Sequence, residues 1–464
     1  MNHDDLRHWS KRAADWAHDY HATLRDRPVR AQTTPGATAA RLPRAAPEAP
    51  EPIEAIFADF EAIVPDAMTH WQHPRFFAYF PANAAPASML AEQLANAIAA
   101  QAMLWQTAPA ATEIEAVMIG WLAGALGLPD RFTGTIHDSA STATLAAVLT
   151  MRERALDWAG NAEGLAGQPA LRIYASAETH SSVDKAARVS GIGQAGLVKV
   201  ATGADHAMDP AALAAAIRAD RAAGRLPAGV ILCAGGTSIG AFDRIGAALA
   251  VARAEGLYSH VDAAWAGSAM ICPEFRALWE GVEAADSIVF NPHKWLGAQF
   301  DCAVQSLADP GPQIRTLGLR PDYLATPGQE MVTDFNEWTL PLGRRFRALK
   351  LWFVLRAYGL EGLRVRIRNH VAWAAEARAA LAALPGVEAV TPRVLSLFTF
   401  ALDAGDAATE DLLARINDDG RIYLTRTRSA GRLLIRVQVG QFDCTRADVM
   451  TIPAVVAELL GTRP

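Results

Sequence analysis

The sequence predicts an α/β fold in which a mostly parallel sheet is flanked by helices. Four short apolar runs have no polar face, which is typical of strands buried on both sides. These runs cover residues 171–176, 229–235, 258–264 and 287–292. Alanine-rich helical segments lie before and between them, at residues 140–157, 182–190, 210–223 and 244–255. Strands and helices that alternate in this way predict a parallel sheet covered by helices.

Composition limits the domain count and the kinds of partner. The chain has 464 residues, 51% of them apolar, which is enough for two or three domains of about 100–200 residues each. The net charge of −6 comes from 43 basic and 49 acidic residues, and no basic block predicts a nucleic-acid surface. The four cysteines form no CxxC pair, which favours structural thiols in a reducing cytoplasm and gives no metal site.

Targeting and membrane-spanning segments are not expected. The N-terminal sequence MNHDDLRHWSKRAADW has acidic residues where a signal peptide would carry positive charge. The longest apolar stretch, VMIGWLAGALGLP, falls well short of the ~20 residues needed to cross a bilayer. We therefore expect a soluble, cytoplasmic protein without a membrane partner.

The N-terminal part of the chain is predicted to be helical, with an irregular connector. Residues 1–25 form an amphipathic helix with one apolar face, made of Leu6, Trp9, Ala13, Trp16 and Tyr20. A segment rich in Pro, Ala and Thr follows, and a second helix covers residues 52–68. An aromatic, loop-like stretch then leads to helices at 88–104 and from about residue 110. We take residues 1–85 as an N-terminal helical segment.

The C-terminal part predicts a smaller α+β domain. A helical stretch from Phe346 to about Gly359 leads out of the alternating region, and a long helix covers residues 362–383. Strand-like sequences GVEAVTPR, SLFTFAL and RLLIRVQVG follow. The predicted organisation is therefore a large domain at residues 86–360 and a small one at 361–464.

Four polar side chains follow shortly after apolar runs: His180, Thr237, Asp262 and Lys294. Ligands of parallel sheets gather at the carboxyl ends of the strands, so these residues are expected in one region. A lysine that attacks an aldehyde needs a partly desolvated pocket and other groups that fix the aldehyde. The pattern suits a pyridoxal 5′-phosphate (PLP) site, which also needs an acid for the ring nitrogen, donors for the phosphate and a flat group over the ring.

Candidates exist for each of these functions, and each has a structural alternative. Asp262 in HVDAAWAG either pairs with a pyridine nitrogen or caps a helix, and Ala264 is small enough to let a ring lie flat. Ser139, Ser141 and Thr142 either bind phosphate at a helix N-terminus or act as ordinary caps. His293 could contact the phosphate or be a buried structural histidine.

The remaining candidates are equally open. His180 is either a planar lid for the ring or a structural residue, and Gly235-Gly236 before Thr237 allow either close approach of a ligand or a tight turn. The sequence GIGQAG at 191–196 matches the dinucleotide-binding spacing, but it follows a helical stretch where that motif requires a strand. We reject it as a nucleotide site.

Taken together, the motifs resemble the group II PLP-dependent decarboxylases, in particular the aromatic-L-amino-acid decarboxylases. Six stretches in the same order carry the resemblance over nearly the whole chain. They are THWQHPRFFAYFPA (69–82), DSASTATLAA (138–147), HSSVDKA (180–186), HVDAAWAGSAMICPEFR (260–276), FNPHKWLGAQFDC (290–302) and PLGRRFRALKLWFVLRAYG (341–359).

The resemblance implies a type I PLP-dependent transferase fold in a homodimer, with the active site at the subunit interface and the N-terminal segment on the partner. It implies that Lys294 bonds covalently to the cofactor, Asp262 pairs with its ring nitrogen and His180 stacks on the ring. The implied phosphate and pocket positions are Ser139, Ala140, Ser141, Asn291, His293 and Thr237. It also implies that Tyr323, on a mobile loop, helps to protonate the reaction intermediate. The implied lining of the substrate pocket is Trp71, Tyr79, Phe80 and Pro81.

The chain departs from the usual animal pattern at positions that bear on the substrate. Ala82 stands where threonine is common, and Gln101 and Met103 replace larger apolar residues. Gly343 leaves room where some phenol-selective relatives have serine, which favours an indole, and Asp138 replaces a common glycine and is expected to cap the helix. We count Gln101, Met103 and Gly343 among the substrate-binding residues.

The expected activity is decarboxylation of an aromatic L-amino acid: tryptophan, phenylalanine, tyrosine or a hydroxylated relative. One alternative is an aromatic aldehyde synthase, in which the loop tyrosine or the stacking histidine is replaced; here Tyr323 and His180 are both present. A second alternative is a decarboxylase of an acidic or basic amino acid, for which the aromatic stretch offers no evident partner. A non-catalytic protein that keeps the fold is the third.

Overall fold

The computed structural model describes residues 1–324 and 331–461, and in them eleven strands form two sheets. The larger sheet has seven strands, in the spatial order β1-β7-β6-β5-β4-β2-β3. These strands are β1 Thr133–His137, β2 Leu171–Ser176, β3 Leu197–Val200, β4 Leu226–Cys233, β5 Tyr258–Asp262, β6 Ser287–Phe290 and β7 Ala303–Leu307. The smaller sheet has the order β10-β11-β9-β8. Its strands are β8 Val387–Ala389, β9 Leu397–Leu402, β10 Thr425–Ser429 and β11 Arg432–Gln438.

Helices occupy most of the remaining described chain. Those before β4 are α1 His3–Ala22, α2 Ile53–Ile63, α3 Pro86–Ile98, α4 Pro109–Leu126, α5 Ala140–Ala155, α6 Ala159–Glu163, α7 Ser181–Val189 and α8 Pro210–Ala222. Those after it are α9 Ile245–Ala254, α10 Pro292–Trp295, α11 Gly311–Leu317, α12 Ala348–Ala382, α13 Asp406–Asp419 and α14 Arg446–Leu460. The predicted α/β fold with a mostly parallel sheet is confirmed.

Strand direction in the large sheet brings six connections to one edge. Strands β2 to β6 pair in parallel, while β7 is antiparallel to both β6 and β1. Two reversals give β1 the same direction as β6. The carboxyl ends of β1, β2, β3, β4, β5 and β6 therefore lie along one edge, which is where parallel sheets place their ligands.

The chain divides into two compact units. One unit contains residues 1–81, 373–391 and 399–464, and it holds α1, α2 and most of the smaller sheet. The other contains residues 82–372 and 392–398, and it holds the large sheet with its covering helices. In the first unit, Trp9 and Trp16 of α1 lie 5.3 and 4.8 Å from the rings of Phe57 and Phe60 of α2, as expected of the apolar face predicted for α1.

Helix α12 is interrupted where the sequence predicts a break. Gly359 has φ +62° and ψ 164°, which no helical residue adopts and which glycine adopts without steric cost. The predicted helices at 346–359 and 362–383 are therefore two halves separated by this glycine.

Four strands were not predicted: β1, β3 and β7 in the large sheet and β10 in the smaller one. The sequences of β1 and β7, TGTIH and AVQSL, contain buried polar side chains that break the apolar pattern. These side chains bond to each other and to a nearby acid: His137 Nε2 lies 2.7 Å from Gln305 Oε1, and Thr135 donates to Glu115 over 2.9 Å. Strand β3 has only four residues at the sheet edge, too few for a clear pattern.

No helix within the described residues is both long enough and apolar enough to span a bilayer.

Candidate active site

Lys294 lies on a one-turn helix directly after a fully buried strand. The four residues of β6 are all buried, Asn291 precedes α10, and Pro292 occupies its first position, which a proline favours because no N–H is needed there. Lys294 itself is partly buried. Its neighbour Trp295 stacks on Trp265 at 5.2 Å and donates from Nε1 to His370 Nδ1 over 2.9 Å. The helix that carries the lysine is thus held by a packed, hydrogen-bonded side chain.

Asp262 is the last residue of β5, between β4 and β6, and its side chain is buried. In the strand register it pairs with Cys233 on one side and Val289 on the other. One carboxylate oxygen, Oδ1, accepts the N–H of Ala264 over 3.1 Å. The other oxygen can accept a hydrogen bond from a bound ligand. Burial makes such a hydrogen bond stronger than it would be in water.

His180 is the N-cap of α7, on the connection that follows β2. Its Nδ1 accepts the N–H of Ser182 over 3.1 Å, which leaves the ring proton on Nε2. Desolvation lowers the pKa of His180, the charge of Lys294 lowers it further, and that of Asp262 opposes both effects. His180 interacts electrostatically with both Asp262 and Lys294, so the three side chains lie in one region, and desolvation keeps the imidazole neutral near pH 7.

Ser139 caps helix α5 on the connection after β1. Its extended backbone, at φ −150° and ψ 157°, directs Oγ to the N–H of Thr142, over 3.2 Å. The expectation that Asp138 caps this helix is therefore wrong, and Asp138 instead accepts from the Ser139 hydroxyl at 3.4 Å. Ala140 and Ser141 begin the helix, and Ser141 is exposed. Free N–H groups and the dipole at this end of a helix favour an anion.

Asn291 and His293 are both buried, and both can serve a ligand. The Oδ1 atom of Asn291 has no hydrogen-bond donor among the described residues. His293 Nδ1 accepts the N–H of Cys302 over 2.8 Å, so Nε2 carries the ring proton as a donor. Burial lowers the pKa of His293 to about 3, with smaller contributions from Lys294 and Lys350, so the ring stays neutral. Hydroxyls, helix N–H groups and an imidazole N–H form a donor set that suits a phosphate.

The two glycines before Thr237 are explained by protein packing. Gly235 has φ +83°, and a Cβ there would lie 2.5 Å from the Cβ of Ala266. A Cβ on Gly236 would lie 2.9 Å from the carbonyl oxygen of Glu178. Close packing against the protein, together with the positive φ of Gly235, therefore accounts for both glycines. Thr237 is exposed on the connection after β4.

Ala264 lies on the connection after β5, where its backbone ties two active-site strands together. Its carbonyl accepts the N–H of Asn291 over 2.9 Å, while its own N–H goes to Asp262. The methyl side chain of Ala264 is partly buried, and its predicted place under a cofactor ring stays a prediction.

The aromatic positions predicted to line the substrate pocket lie in the first unit. Trp71 and Tyr79 stack with ring centroids 5.8 Å apart, yet they are 38% and 50% exposed. Phe80 and Pro81 are buried, and the Arg436 guanidinium lies 4.6 Å from the centre of the Phe80 ring. Two large aromatic side chains are thus presented on the surface of this unit, as an aromatic ligand or a second protein chain would require.

The other predicted substrate positions lie in the second unit, and two of them touch. Gln101 Oε1 accepts the N–H of Arg344 over 2.7 Å, and a Cβ on Gly343 would lie 3.0 Å from Gln101 Nε2. Met103 is partly buried, and its carbonyl accepts the N–H of Asn336 over 3.1 Å. Because residue 343 is a glycine, the Gln101 side chain can lie close to its backbone.

Residue 323 lies in a short 3-10 turn, Asp322–Leu324, and its side chain is outside the described part of the structure, as are residues 325–330. The role predicted for Tyr323 therefore stays a prediction.

Two features of this region have no signal in the sequence. Arg344 is buried and pairs with Glu115 at 2.6 Å, while also donating to Thr135 and to the carbonyl of Ile136. It is one of three arginines in RRFR, and the sequence does not distinguish them. Asn83 is buried against the lysine helix and stands in PANAAP, which has no recognisable pattern.

The described residues contain no group of three or more His, Cys, Asp or Glu side chains arranged to hold a metal ion.

Comparison with known proteins agrees with this chemistry. A family model described as "Pyridoxal-dependent decarboxylase conserved domain" matches residues 35–403. The chain is 38% identical to an aromatic-L-amino-acid decarboxylase of Rattus norvegicus over 95% of this chain and 94% of the relative. It is 36% identical to a phenylacetaldehyde synthase of Arabidopsis thaliana, covering 95% and 92% of the two chains. A crystal structure of Oryza sativa TDC with PLP and tryptamine superposes with a TM-score of 0.95, at 35% identity over 99% of both chains.

Proposed function

Because the chain belongs to the pyridoxal-dependent decarboxylase family, it is a PLP-dependent amino-acid decarboxylase, and we propose that the following residues and substrate class carry its activity. The proposed reaction converts an aromatic L-amino acid to the arylalkylamine and CO₂. The observation that carries the proposal is the meeting of Lys294, Asp262 and His180 at one edge of the sheet, beside a helix N-terminus suited to phosphate.

Each of these residues would hold a different part of the cofactor. The amine of Lys294 would bond to its aldehyde carbon, and the Asp262 carboxylate would accept a hydrogen bond from the protonated ring nitrogen. His180 would cover one ring face. Ser139, Ala140, Ser141, Asn291 and His293 would hold the phosphate, and Thr237 and Ala264 would complete the pocket.

When bound, PLP accepts the electron pair that remains on the α-carbon after CO₂ leaves. The protein determines which bond breaks by orienting the substrate, because only a bond perpendicular to the ring plane overlaps the π system of the ring. The neutral His180, with its proton on Nε2, and Tyr323 are proposed to deliver the proton to the α-carbon. Lys294 would hold the cofactor again once the amine product has left.

We propose an aromatic substrate because of the side chains to which no contact with the cofactor is assigned. Trp71, Tyr79, Phe80 and Pro81 offer apolar contacts and carry no charge themselves. The Arg436 guanidinium beside Phe80 is buried and donates to the carbonyl of Tyr79. The aromatic-L-amino-acid decarboxylase and the synthase among the relatives are named for aromatic chemistry. Gln101, Met103 and Gly343 are proposed to contact the substrate ring as well. The Gln101 amide lies beside the space that a side chain at residue 343 would take, so a preference for an indole is not part of the proposal.

A cytoplasmic homodimer with active sites at the subunit interface is the proposed assembly. Helix α3 presents Leu90, Leu94 and Ile98, which are 51%, 44% and 63% exposed. Four-residue spacing places them on one helix face, and an apolar stripe of this kind marks a protein interface. We keep the division into residues 1–85, 86–360 and 361–464 as part of this proposal, with the first segment packed on the partner. Sedimentation should give twice the chain mass of 49.6 kDa.

A substrate panel tests the proposed function. Purified enzyme with added PLP is given tryptophan, phenylalanine, tyrosine, dihydroxyphenylalanine, glutamate and lysine at equal concentration, and CO₂ and amine are measured. We expect release from the aromatic amino acids only. Release from glutamate or lysine alone would contradict the proposed substrate class.

The Lys294→Ala variant tests the proposed attachment of the cofactor. It should lose both turnover and the visible absorbance of lysine-bound cofactor, because no other amine is placed by this helix. The exposed Lys185 of α7 gives the matched control, and Lys185→Ala should keep both properties. Normal turnover by Lys294→Ala would contradict the assignment.

An aromatic aldehyde synthase is the second candidate, and the Arabidopsis relative of that name supports considering it. Such an enzyme would release hydrogen peroxide and aldehyde in place of amine. The presence of both His180 and Tyr323 favours simple decarboxylation. Measuring peroxide, aldehyde and amine in the same reaction separates the two: amine in large excess supports decarboxylation, and equal aldehyde and peroxide support the synthase.

A further inference from the structure

The helix that carries Lys294 receives hydrogen bonds from a distant segment of the same unit. The N–H of Asn83 donates to the carbonyl of His293 over 2.9 Å, and its side-chain Nδ2 donates to the carbonyl of Lys294 over 2.5 Å. Asn83 is 1% exposed, so both bonds are shielded from water. A single residue therefore holds two consecutive carbonyls of the active-site turn.

These hydrogen bonds supply donors for carbonyl groups that have no partner within the short helix. Helix α10, Pro292–Trp295, has only four residues, and the last four carbonyls of any helix lack partners within it. Buried carbonyls without donors are costly, so the partners must come from elsewhere. Asn83 supplies them where the turn carries Lys294.

Two further bonds join the same segments farther from the lysine. The N–H of Ala85 donates to the carbonyl of Gly297 over 2.9 Å, and the N–H of Gln299 donates to Ser88 Oγ over 2.6 Å. Ser88 is fully buried, as Asn83 is. The side chains of Ser88 and Asn83 thus each contribute a bond between the segments, but the Asn83 bond is the one made to the lysine residue.

We infer that Asn83 is a positioning residue for Lys294, fixing the peptide from which the lysine side chain reaches the cofactor. A long flexible side chain is directed accurately only if its backbone is held. The inference rests on the proposed role of Lys294 in binding PLP, and it does not depend on which amino acid is the substrate.

The test compares variants by cofactor binding, without substrate. Asn83→Asp keeps the side-chain shape but removes the donor, and Asn83→Ala removes the group without adding charge. Ser88→Ala is the matched control, because it deletes a buried bond between the same two segments. The readouts are the dissociation constant of PLP from reconstituted apoenzyme and the pH at which the visible absorbance of lysine-bound cofactor changes. Thermal unfolding of each variant reports the common loss of stability.

We expect both Asn83 variants to bind PLP at least about fivefold more weakly and to shift the absorbance transition, since a lost buried hydrogen bond is worth roughly this factor. Ser88→Ala should stay within about twofold of the parent on both readouts while losing comparable thermal stability. Asn83 variants that match Ser88→Ala on both readouts would overturn the inference. A change in Asn83→Asp alone would overturn it too, because the effect would then be one of charge.

Discussion

Asp262 combines burial with a partly used carboxylate. Only 8% of it is exposed, and one of its oxygens accepts the Ala264 N–H. An acid in that setting can pair with the nitrogen of the cofactor ring, or it can only accept the N–H of the turn. The sequence does not distinguish these alternatives. The proximity to His180 and Lys294 favours the first, because a cap needs neither neighbour.

Replacing this carboxylate separates the two roles. Asp262→Asn keeps an acceptor for the Ala264 N–H but cannot hold a proton on the ring nitrogen, so turnover should fall by about two orders of magnitude or more. Asp286→Asn is the matched control, because Asp286 is an acid that accepts the N–H of Ser259, at the opposite end of β5. Turnover with saturating PLP is the measurement. Equal losses in the two variants would mean that Asp262 acts only through the turn.

The residues that the sequence identified are those whose chemistry is rare in their context. A lysine, an acid and a histidine directly after buried strands are unusual, and their positions follow from strand order. Asn83 could not be identified in this way, because its role comes from contact with a segment about 210 residues away in the chain. Arg344 is similar: its partner Glu115 is 229 residues earlier, and no local pattern links them.

At the scale of elements, prediction succeeded where side chains follow one simple rule. The apolar runs became β2, β4, β5 and β6, and the alanine-rich segments became the covering helices. Strands β1 and β7 were not predicted because they contain buried Thr, His and Gln side chains. These side chains form hydrogen bonds with one another and with Glu115. Pairing of this kind depends on tertiary structure, so polar strands look like loops in the sequence.

The interruption of α12 predicts how a substitution at Gly359 changes the stability of the protein. Gly359 has φ +62°, and no atom lies within 4 Å of the position that an added methyl group would take, so Gly359→Ala meets backbone strain without a clash. We expect a loss of about 1–3 kcal/mol in the free energy of unfolding, because this combination of φ and ψ is adopted almost only by glycine. Gly362, three residues later in the same helix, has no positive φ, and its nearest neighbour would be Tyr358 Cβ at 3.8 Å.

Gly362→Ala is therefore the matched control, and it should stabilise the protein by up to about 1 kcal/mol, because alanine is the better helix former. Urea unfolding of both variants measures the difference. Opposite signs are expected, and stabilisation by both substitutions would show that the positive φ at residue 359 costs alanine nothing.

At the scale of the whole molecule, five histidines are neutral in the folded state because burial lowers their pKa. The pKa is lowered to about 3 for His73, His293 and His370, and to about 4 for His137 and His260. In the unfolded chain each would titrate near a pKa of about 6.5. The unfolded state therefore binds more protons below that pH, and folding stability falls as the pH falls from about 6.5 toward 4.

One acid opposes this trend. Burial raises the pKa of Asp243 to about 6, so the folded state takes up a proton there before the unfolded state does. Its contribution to stability grows as the pH falls from about 6 toward its unfolded pKa of 3.8. Burial also lowers the pKa of His21, His70 and His180, so the histidines outnumber this acid and decide the sign of the net effect.

We therefore expect the urea midpoint to fall between pH 7 and pH 5, with net proton uptake on unfolding. His260 is a suitable probe: it is fully buried, its Nδ1 lies 2.9 Å from Ser287 Oγ, and no cofactor role is proposed for it. In His260→Gln the pH dependence should weaken by about 1.4 kcal/mol per pH unit at most, the value for one proton. His3 is exposed to water in the folded state, so the control His3→Gln should leave the slope unchanged. A midpoint that stays constant from pH 7 to pH 5 would mean that these rings gain protons without unfolding, through water that reaches them in the folded state.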